Sequence, residues 1–458
     1  MLENTSFWAI VIFLITYAVV VSEKIHRAVA AFAGASIIML AKILTPDEAV
    51  HYIDFNTIGL LVGMMIIVGI TRQTGLFEYV AIRTSKMARG EPLRVLASLA
   101  LLTAVFSALL DNVTTVLLIV PVTLAITTKL KVNPLPFIIT EILASNIGGT
   151  ATLIGDPPNI MIGSATHLGF MDFLINLAPV VVVIYALTLY ILLRIYKNSL
   201  QTTTQLQQAI MEINENNEIK DVVLLKKCIF VLSLTIVGFT LHQLVHLESS
   251  VIALAGASIL LVITRFDPER ALHSVEWPVI FFFIGLFVVV GALEATGVIE
   301  SIAMFALDTT RGSILPAGLF ILWLSAVASS FVDNIPFVAT MIPLIKEMGR
   351  LGALENIDFL WWSLSLGACL GGNGTIVGAS ANLVAVGMAE RNNVLVGFFQ
   401  FFKISFPLML MSILIAMVYL IAWYTYNTIM VILATLAPGL LLSLVLGQLN
   451  KRLNKDSK

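Results

Sequence analysis

Ser107-Ala108-Leu109-Leu110-Asp111-Asn112-Val113-Thr114-Thr115 lies in the middle of an apolar stretch, 96–128. It returns as Ser329-Ser330-Phe331-Val332-Asp333-Asn334-Ile335-Pro336 within a second apolar stretch, 317–345. An acid followed by an amide, twice, inside segments apolar enough for lipid, decides how the chain is read. The recurrence spreads outward from these motifs. Shifted by 222 positions, residues 29–121 align on 251–343 without a gap, with 29 identities in 93 positions. Ala33-Gly34-Ala35-Ser36-Ile37 recurs as Ala255-Gly256-Ala257-Ser258-Ile259, and Gly63 and Gly69 recur as Gly285 and Gly291. Thr74-Gly75 and Glu78 recur as Thr296-Gly297 and Glu300, and Pro121 as Pro343.

The composition supplies the solvent for this duplication. Of 458 residues, 26 are basic and 28 acidic, so 12% are charged, while 59% are hydrophobic and mean hydropathy is +0.98. No soluble fold of this length hides that much apolar surface. We expect an all-α polytopic membrane protein; a soluble enzyme, a coiled coil and a disordered chain are excluded. No Lys/Arg-dense face exists to neutralise phosphates, so nucleic acid is not an expected partner. Cys228 and Cys369 sit in apolar runs and imply no disulfide framework.

A spanning helix needs about 20 apolar residues. Spans are predicted near 7–22, 28–44, 57–72, 172–194, 228–245, 250–264, 278–294, 402–424 and 428–448, with long interrupted ones at 135–165 and 358–390. The N-terminus carries Glu3 and no basic run, so 7–22 reads as a retained span. The basic residues of 72–94, of the central polar linker and of the tail orient the chain with its N-terminus outside and its linker and C-terminus cytoplasmic. That works only if 96–128 enters and leaves on one side as a re-entrant hairpin. Each half then crosses the bilayer five times, and an odd count inverts the second copy. The predicted organisation has four parts. Residues 1–196 form the first repeat (hairpin 96–128, broken helix 135–165), and 197–227 a cytoplasmic linker. Residues 228–425 form the second repeat (hairpin 317–345, broken helix 358–390), and 426–458 an extra span with a basic tail. Inverted repeats with broken helices are the plan of many secondary transporters.

Chemistry is expected at four interruptions, two per half. Besides the tips there are two glycine-rich breaks. One runs Ser145-Asn146-Ile147-Gly148-Gly149-Thr150-Ala151-Thr152-Leu153-Ile154-Gly155-Asp156-Pro157-Pro158-Asn159. The other runs Gly371-Gly372-Asn373-Gly374-Thr375-Ile376-Val377-Gly378-Ala379-Ser380-Ala381-Asn382. Backbone at membrane depth must be hydrogen-bonded or line a wet, protein-walled cavity. Glycine admits positive φ and close approach of a ligand. Unwinding frees carbonyls for a cation, and half-helix N-termini present positive dipole ends. The expected ion-binding residues are Asp111, Asn112, Thr114, Thr115, Asn146, Gly148, Gly149, Thr150, Asp156 and Asn159 in the first half. In the second they are Asp333, Asn334, Gly371, Gly372, Asn373, Thr375, Ser380 and Asn382. A carboxyl at depth costs about 2.5–3.5 kcal/mol on insertion scales and is usually functional. Asp111, Asp333, Asp156 and Glu141 are therefore the proton-coupling candidates. Sodium is the candidate bound ion at Asp111, Asn112, Asp333 and Asn334; no other cofactor is expected. Each acid also has a structural reading: Asp111 and Asp333 as helix N-caps, Asp156 as a cap before Pro157, Glu141 as a satisfied internal acid. The four amides are either ligands or hydrogen-bond locks. Glu78 and Glu300 read as interfacial, His51 and His273 as loop residues near the surface.

Leu110-Asp111-Asn112-Val113-Thr114-Thr115 with Val120-Pro121-Val122-Thr123, Asn146-Ile147-Gly148-Gly149 with Ile154-Gly155-Asp156-Pro157-Pro158-Asn159, and Gly367-Ala368-Cys369-Leu370-Gly371-Gly372-Asn373-Gly374-Thr375 resemble the ion transporter superfamily. Within it they are most similar to the arsenite-permease/NhaD branch and the permease group of the melanosomal P protein. The resemblance covers roughly residues 5–425. It implies an inverted-repeat transporter with two hairpins, a homodimer and an elevator-like motion. Sodium-coupled dicarboxylate relatives carry Ser-Asn-Thr at the tips; here Asp111 stands where they have Ser, and Asp333-Asn334-Ile335-Pro336 lacks the Thr. This favours cation or proton exchange. The expected function is secondary active transport of a small inorganic ion, as arsenite or anion efflux or Na+/H+ antiport, coupled to H+ or Na+ across a plasma (inner) membrane. The alternatives are a channel-like anion conductance, sodium-coupled di/tricarboxylate symport and, remotely, an intramembrane aspartyl enzyme using Asp111 and Asp333; no enzymatic activity is expected. The chain has no Gly-Lys dipeptide and so no P-loop of its own, leaving a separate ATPase subunit as the one ATP-driven arrangement.

Overall fold

The structure is a computed structural model that describes residues 2–22, 24–310, 312–352 and 357–425. The span expected at 428–448 and the basic tail lie outside the described residues. All regular structure among the described residues is helical. The first half comprises α1 (Leu2–Ser22), α2 (Arg27–Leu40), α3 (Pro46–Tyr52), α4 (Phe55–Arg72), α5 (Leu76–Met87), α6 (Pro92–Leu109), α7 (Asn112–Leu130), α8 (Leu135–Gly149), α9 (Pro157–Ala165) and α10 (Phe170–Tyr196). After α11 (Thr204–Met211) in the linker, the second half repeats the series. It comprises α12 (Val222–Leu241), α13 (Ser249–Thr264), α14 (Pro268–Leu272), α15 (Trp277–Ala295), α16 (Val298–Thr310), α17 (Ile314–Phe331), α18 (Asn334–Gly352), α19 (Asp358–Gly371), α20 (Ser380–Arg391) and α21 (Phe398–Thr425). Nine of these described helices are long and apolar enough to cross a membrane. The duplication is therefore structural as well as sequential, helix for helix.

Both hairpins form as expected, α6–α7 and α17–α18, turning at two-residue links, Leu110-Asp111 and Val332-Asp333, whose first residues are extended. Both interrupted spans are broken: α8 and α9 are separated at 150–156, and α19 and α20 at 372–379 with a short 3₁₀ turn at Ile376–Gly378. The span expected at 28–44 is shorter, since α2 stops at Leu40 and Lys42 takes a left-handed φ of 55°.

The two halves interlock through α2 on α15 and α4 on α13. Glycine permits the close approach in both crossings. A Cβ on Gly285 would sit 2.5 Å from the Ala31 carbonyl carbon, and one on Gly63 would sit 2.6 Å from that of Ala253. Within each half the first hairpin arm presses on the first half of the broken helix, α6 on α8 and α17 on α19. A Cβ on Gly148 would meet the Ala104 oxygen at 2.2 Å, and one on Gly371 the Ala326 Cα at 2.7 Å. Polarity runs inside out: Leu14, Phe32, Phe230 and Val262 are exposed, whereas Asn146, Asp156, Asn159 and Asn382 are fully buried.

Polar contacts sort the loops into two ends. On the linker side, Lys86 Nζ meets Glu215 Oε2 at 2.6 Å, the Lys220 amide donates to the Thr74 carbonyl at 3.0 Å, and the Thr202 hydroxyl donates to the Leu130 carbonyl at 2.6 Å. At the other end, the Ser6 hydroxyl donates to the Thr296 carbonyl at 2.9 Å, Asn56 to Glu248 at 2.9 Å, and Trp423 Nε1 to Asn176 Oδ1 at 2.9 Å. Arg350, near the end of hairpin 2, pairs with Glu300 at this second end. The hairpins thus enter the molecule from opposite ends.

Candidate functional site

Asp111 is the N-cap of α7. Its Oδ1 accepts the Thr114 amide at 2.7 Å and its Oδ2 the Thr114 hydroxyl at 2.5 Å. Asp333 holds the duplicate position, but Thr114 is replaced there by Pro336, which has neither N–H nor hydroxyl. Asp333 Oδ1 instead accepts the Ile335 amide at 3.0 Å. Its Oδ2 takes the Arg27 guanidinium at 2.8 Å and the Ser380 hydroxyl. Arg27 also donates to Ser380 and lies 5.3 Å from the centroid of the Phe282 ring.

The two breaks meet back to back. Asn159 Nδ2 donates to the carbonyls of Thr150 and Thr152 at 3.1 and 2.9 Å. Asn382 Nδ2 does the same for Gly372 and Thr375 at 2.8 and 2.9 Å. Each amide thus holds the carbonyls that its own unwound segment leaves free. Each Oδ1 then reaches into the other repeat. Asn159 Oδ1 accepts from Ser365 at 2.6 Å and Cys369 at 3.5 Å, and Asn382 Oδ1 accepts from Asn146 Nδ2 at 2.8 Å. Asn146 also donates to Asn373 Oδ1 at 2.9 Å and accepts from Asn112 Nδ2 at 3.2 Å. Asn159 and Asn382 thus make hydrogen-bond locks across and within the breaks. Thr150 and Thr375 serve the backbone, bonding the Asn146 and Ser330 carbonyls at 2.7 and 2.5 Å.

The glycines of the breaks differ from expectation. None has a left-handed backbone; among the described glycines positive φ is confined to Gly75, Gly90, Gly297 and Gly312. The break glycines admit neighbouring backbone. A Cβ on Gly149 would meet the Gly155 oxygen at 2.4 Å, and one on Gly372 the Gly378 oxygen at 3.2 Å.

The acids separate into different settings. Asp156 occupies the N-cap position of α9 without a cap bond and accepts from Asn334 Nδ2 at 3.2 Å, joining the first break to the second tip. It lies within Coulombic range of Asp111 and Asp333. Glu141, on α8, accepts the Thr123 hydroxyl of α7 at 2.5 Å and leaves Oε2 without a partner. It is joined to the hairpin arm rather than to either tip. At tip 1, Asn112 Oδ1 and Thr115 Oγ1 are also buried without partners. A carboxylate with bare carbonyl and hydroxyl oxygens beside it suits a hard cation or a proton. No cluster of three or more His, Cys, Asp or Glu that could hold a metal ion occurs among the described residues.

Cavities approach both tips from the linker side. A cavity of about 580 Å³ ends at Thr114 and is lined by Arg72, Gln73, Glu78, Lys220, His273 and Glu276 among others. Glu78 and His273, expected at interfaces and in loops, thus also border the path to the site. A second cavity of about 230 Å³ opens on Arg27, Asp333 and Ser380. Glu276, just before α15, has its carboxyl pushed up to about 7, first by burial and then by the Asp111 charge, against the pull of Arg27. Arg27, Glu276, Ser365 and the contact of Cys369 were not legible as site features. Arg27 reads as one more loop cation. Its one sequence signal is that the duplicate position holds Ser249.

A citrate transporter (CitMHS) family profile matches residues 17–367. An uncharacterized transporter of Mycobacterium bovis is 42% identical over 423 residues, covering 91% of this chain and 98% of that one. The human P protein is 33% identical over 488 residues, covering 88% of this chain and 58% of that protein. The crystal structure of the Alcanivorax borkumensis YdaH transporter, described as having an unusual topology, superposes with a TM-score of 0.50 at 13% identity, over 84% of this chain and 91% of that one.

Proposed function

The chain belongs to the citrate transporter (CitMHS) family of membrane transporters, and from that premise we propose that it is a secondary active transporter exchanging Na+ for H+ by alternating access. The observation that carries this reading is the chemistry of the centre. Asp156 is bonded to Asn334 beside the tip acid Asp333 and lies within Coulombic range of both tip acids, Asp111 stands beside bare amide and hydroxyl oxygens, and Arg27 is already paired with Asp333. Such a centre attracts cations and protons and repels a polyanion. The motion proposed is elevator-like, with the α2–α15 and α4–α13 crossings as frame and the hairpins and broken helices as carrier. The linker side, rich in Lys and Arg, is assigned to the cytoplasm and the protein to a plasma (inner) membrane as a homodimer.

Proteoliposomes loaded with a pH-sensitive dye test the proposal. Sodium added outside is expected to drive proton movement without any organic substrate. A second reading, cation-coupled carboxylate uptake, is supported by the family description and by the positive ends of α9 and α20 at the breaks. Citrate-dependent sodium uptake without sodium–proton exchange would replace the first reading by the second. Arsenite efflux is the remaining inorganic form, tested in the same vesicles. Currents linear in voltage, with no counter-ion, would overturn all three in favour of a channel.

A further inference from the structure

The two tips are copies of one motif, yet their acids are neutralised by different means. At tip 1 the donors that meet Asp111 come from its own chain segment: the Thr114 amide and hydroxyl, with the backbone N–H groups of Asp111 and Val113. Asn112 Oδ1 and Thr115 Oγ1 lie buried and bare beside it. At tip 2 Pro336 takes away both Thr114 donors, and the carboxylate is met by a full positive charge from the other repeat. Arg27 reaches it from the first turn of α2, steadied by Ser380 and the face of Phe282. The duplicate of Arg27 is Ser249, too short and uncharged to do this for tip 1. Asn334 is likewise engaged, donating to Asp156. The unpartnered hydroxyls of hairpin 2, Ser325 and Ser329, belong to arm α17, before the tip.

An ionised carboxylate at membrane depth is costly, and a bound proton or a neighbouring cation offsets that cost. We propose that Arg27 is a tethered stand-in for the coupling cation at tip 2, so that only tip 1 takes an exchangeable one. The inference rests on the coupling reading above and sharpens it: one coupling cation per cycle, with Arg27 the residue that sets that number.

Sodium titrations of the purified full-length protein, read by thermal stabilisation and by sodium-driven proton flux, test this. Wild type is expected to respond with a Hill slope of about 1, since the slope is bounded by the number of sites. Arg27→Gln frees Asp333 and is expected to raise the slope toward about 2 or add a second, weaker phase. Arg27→Lys keeps the charge and keeps the single site. Arg27→Gln with Asp333→Asn removes both partners, leaves no unpaired charge, and is expected to restore one site at the wild-type midpoint. If Arg27→Gln alone does not fold, this double variant decides. A wild-type slope near 2, or a folded, monodisperse double variant that no longer responds to sodium, overturns the assignment of Arg27 while leaving the coupling reading intact. A wild type that responds to neither sodium nor a pH gradient overturns the coupling reading itself, and the Arg27 assignment with it.

Discussion

Asp111 caps α7, the structural role the sequence offered it, and stands beside bare oxygens that the proposed ion-binding role would use. Capping alone is worth about 0.5–2 kcal/mol and is met nearly as well by Asn. Asp111→Asn is therefore expected to fold and to lose coupled flux by at least about tenfold, equivalent to 1.4 kcal/mol. Retained wild-type flux and pH dependence in proteoliposomes would make Asp111 purely structural. Asp333→Asn is expected to lower stability by stranding Arg27, and Arg27→Gln to rescue it. Glu276 gives a pH signature. Its folded carboxyl titrates near 7, above its unfolded range, so the folded state holds the proton more tightly. Its contribution to stability is complete below the unfolded pKa and is lost as pH rises through about 7. Glu276→Gln should flatten thermal stability over that window, by a slope of at most about 1.4 kcal/mol per pH unit. Identical wild-type and variant profiles would contradict this. The acids at depth were legible because charge is scarce in this chain. Arg27 was not, because a cation beside a span is indistinguishable in sequence from one that merely orients the loop.

At the scale of helices, the four interruptions were legible for a different reason: duplication prints each one twice. What the sequence left open was how the glycines serve them. Flexibility and close packing call for the same residue, and only the neighbour decides. At Gly148 the neighbour is the Ala104 carbonyl, and at Gly371 it is the Ala326 backbone. Gly148→Ala should push hairpin 1 off α8 at a cost of about 1–3 kcal/mol, the usual penalty of overpacking. A lowered unfolding midpoint in detergent, with a parallel loss of flux, is the expected result. An unchanged midpoint would mean that the contact yields. Gly75 is the opposite case, with φ at +80° and the Glu218 carbonyl 1.7 Å from where a Cβ would stand. Gly75→Ala should detach the linker turn from the start of α5, read as faster proteolysis between 197 and 222.

Taken whole, the molecule has two ends distinguished by which loops touch. Asp47 lies at the end that holds Ser6 and Glu248, and Arg270 at the linker end; both are exposed, while Cys228 and Cys369 are buried. A membrane-impermeant thiol reagent should label Asp47→Cys in intact cells and Arg270→Cys only after permeabilisation. Labelling of both from one side would break the inverted arrangement. The interlocking of the halves also bears on how the protein is made. The grooves on α2 and α4 are filled by α15 and α13, whose residues leave the ribosome some two hundred positions later. During synthesis the first half must wait in the bilayer with its glycine seams against lipid and its lock donor Asn146 lacking Asn382. A chain truncated after the linker would leave these surfaces uncovered and is expected to be degraded rather than to act as half a transporter.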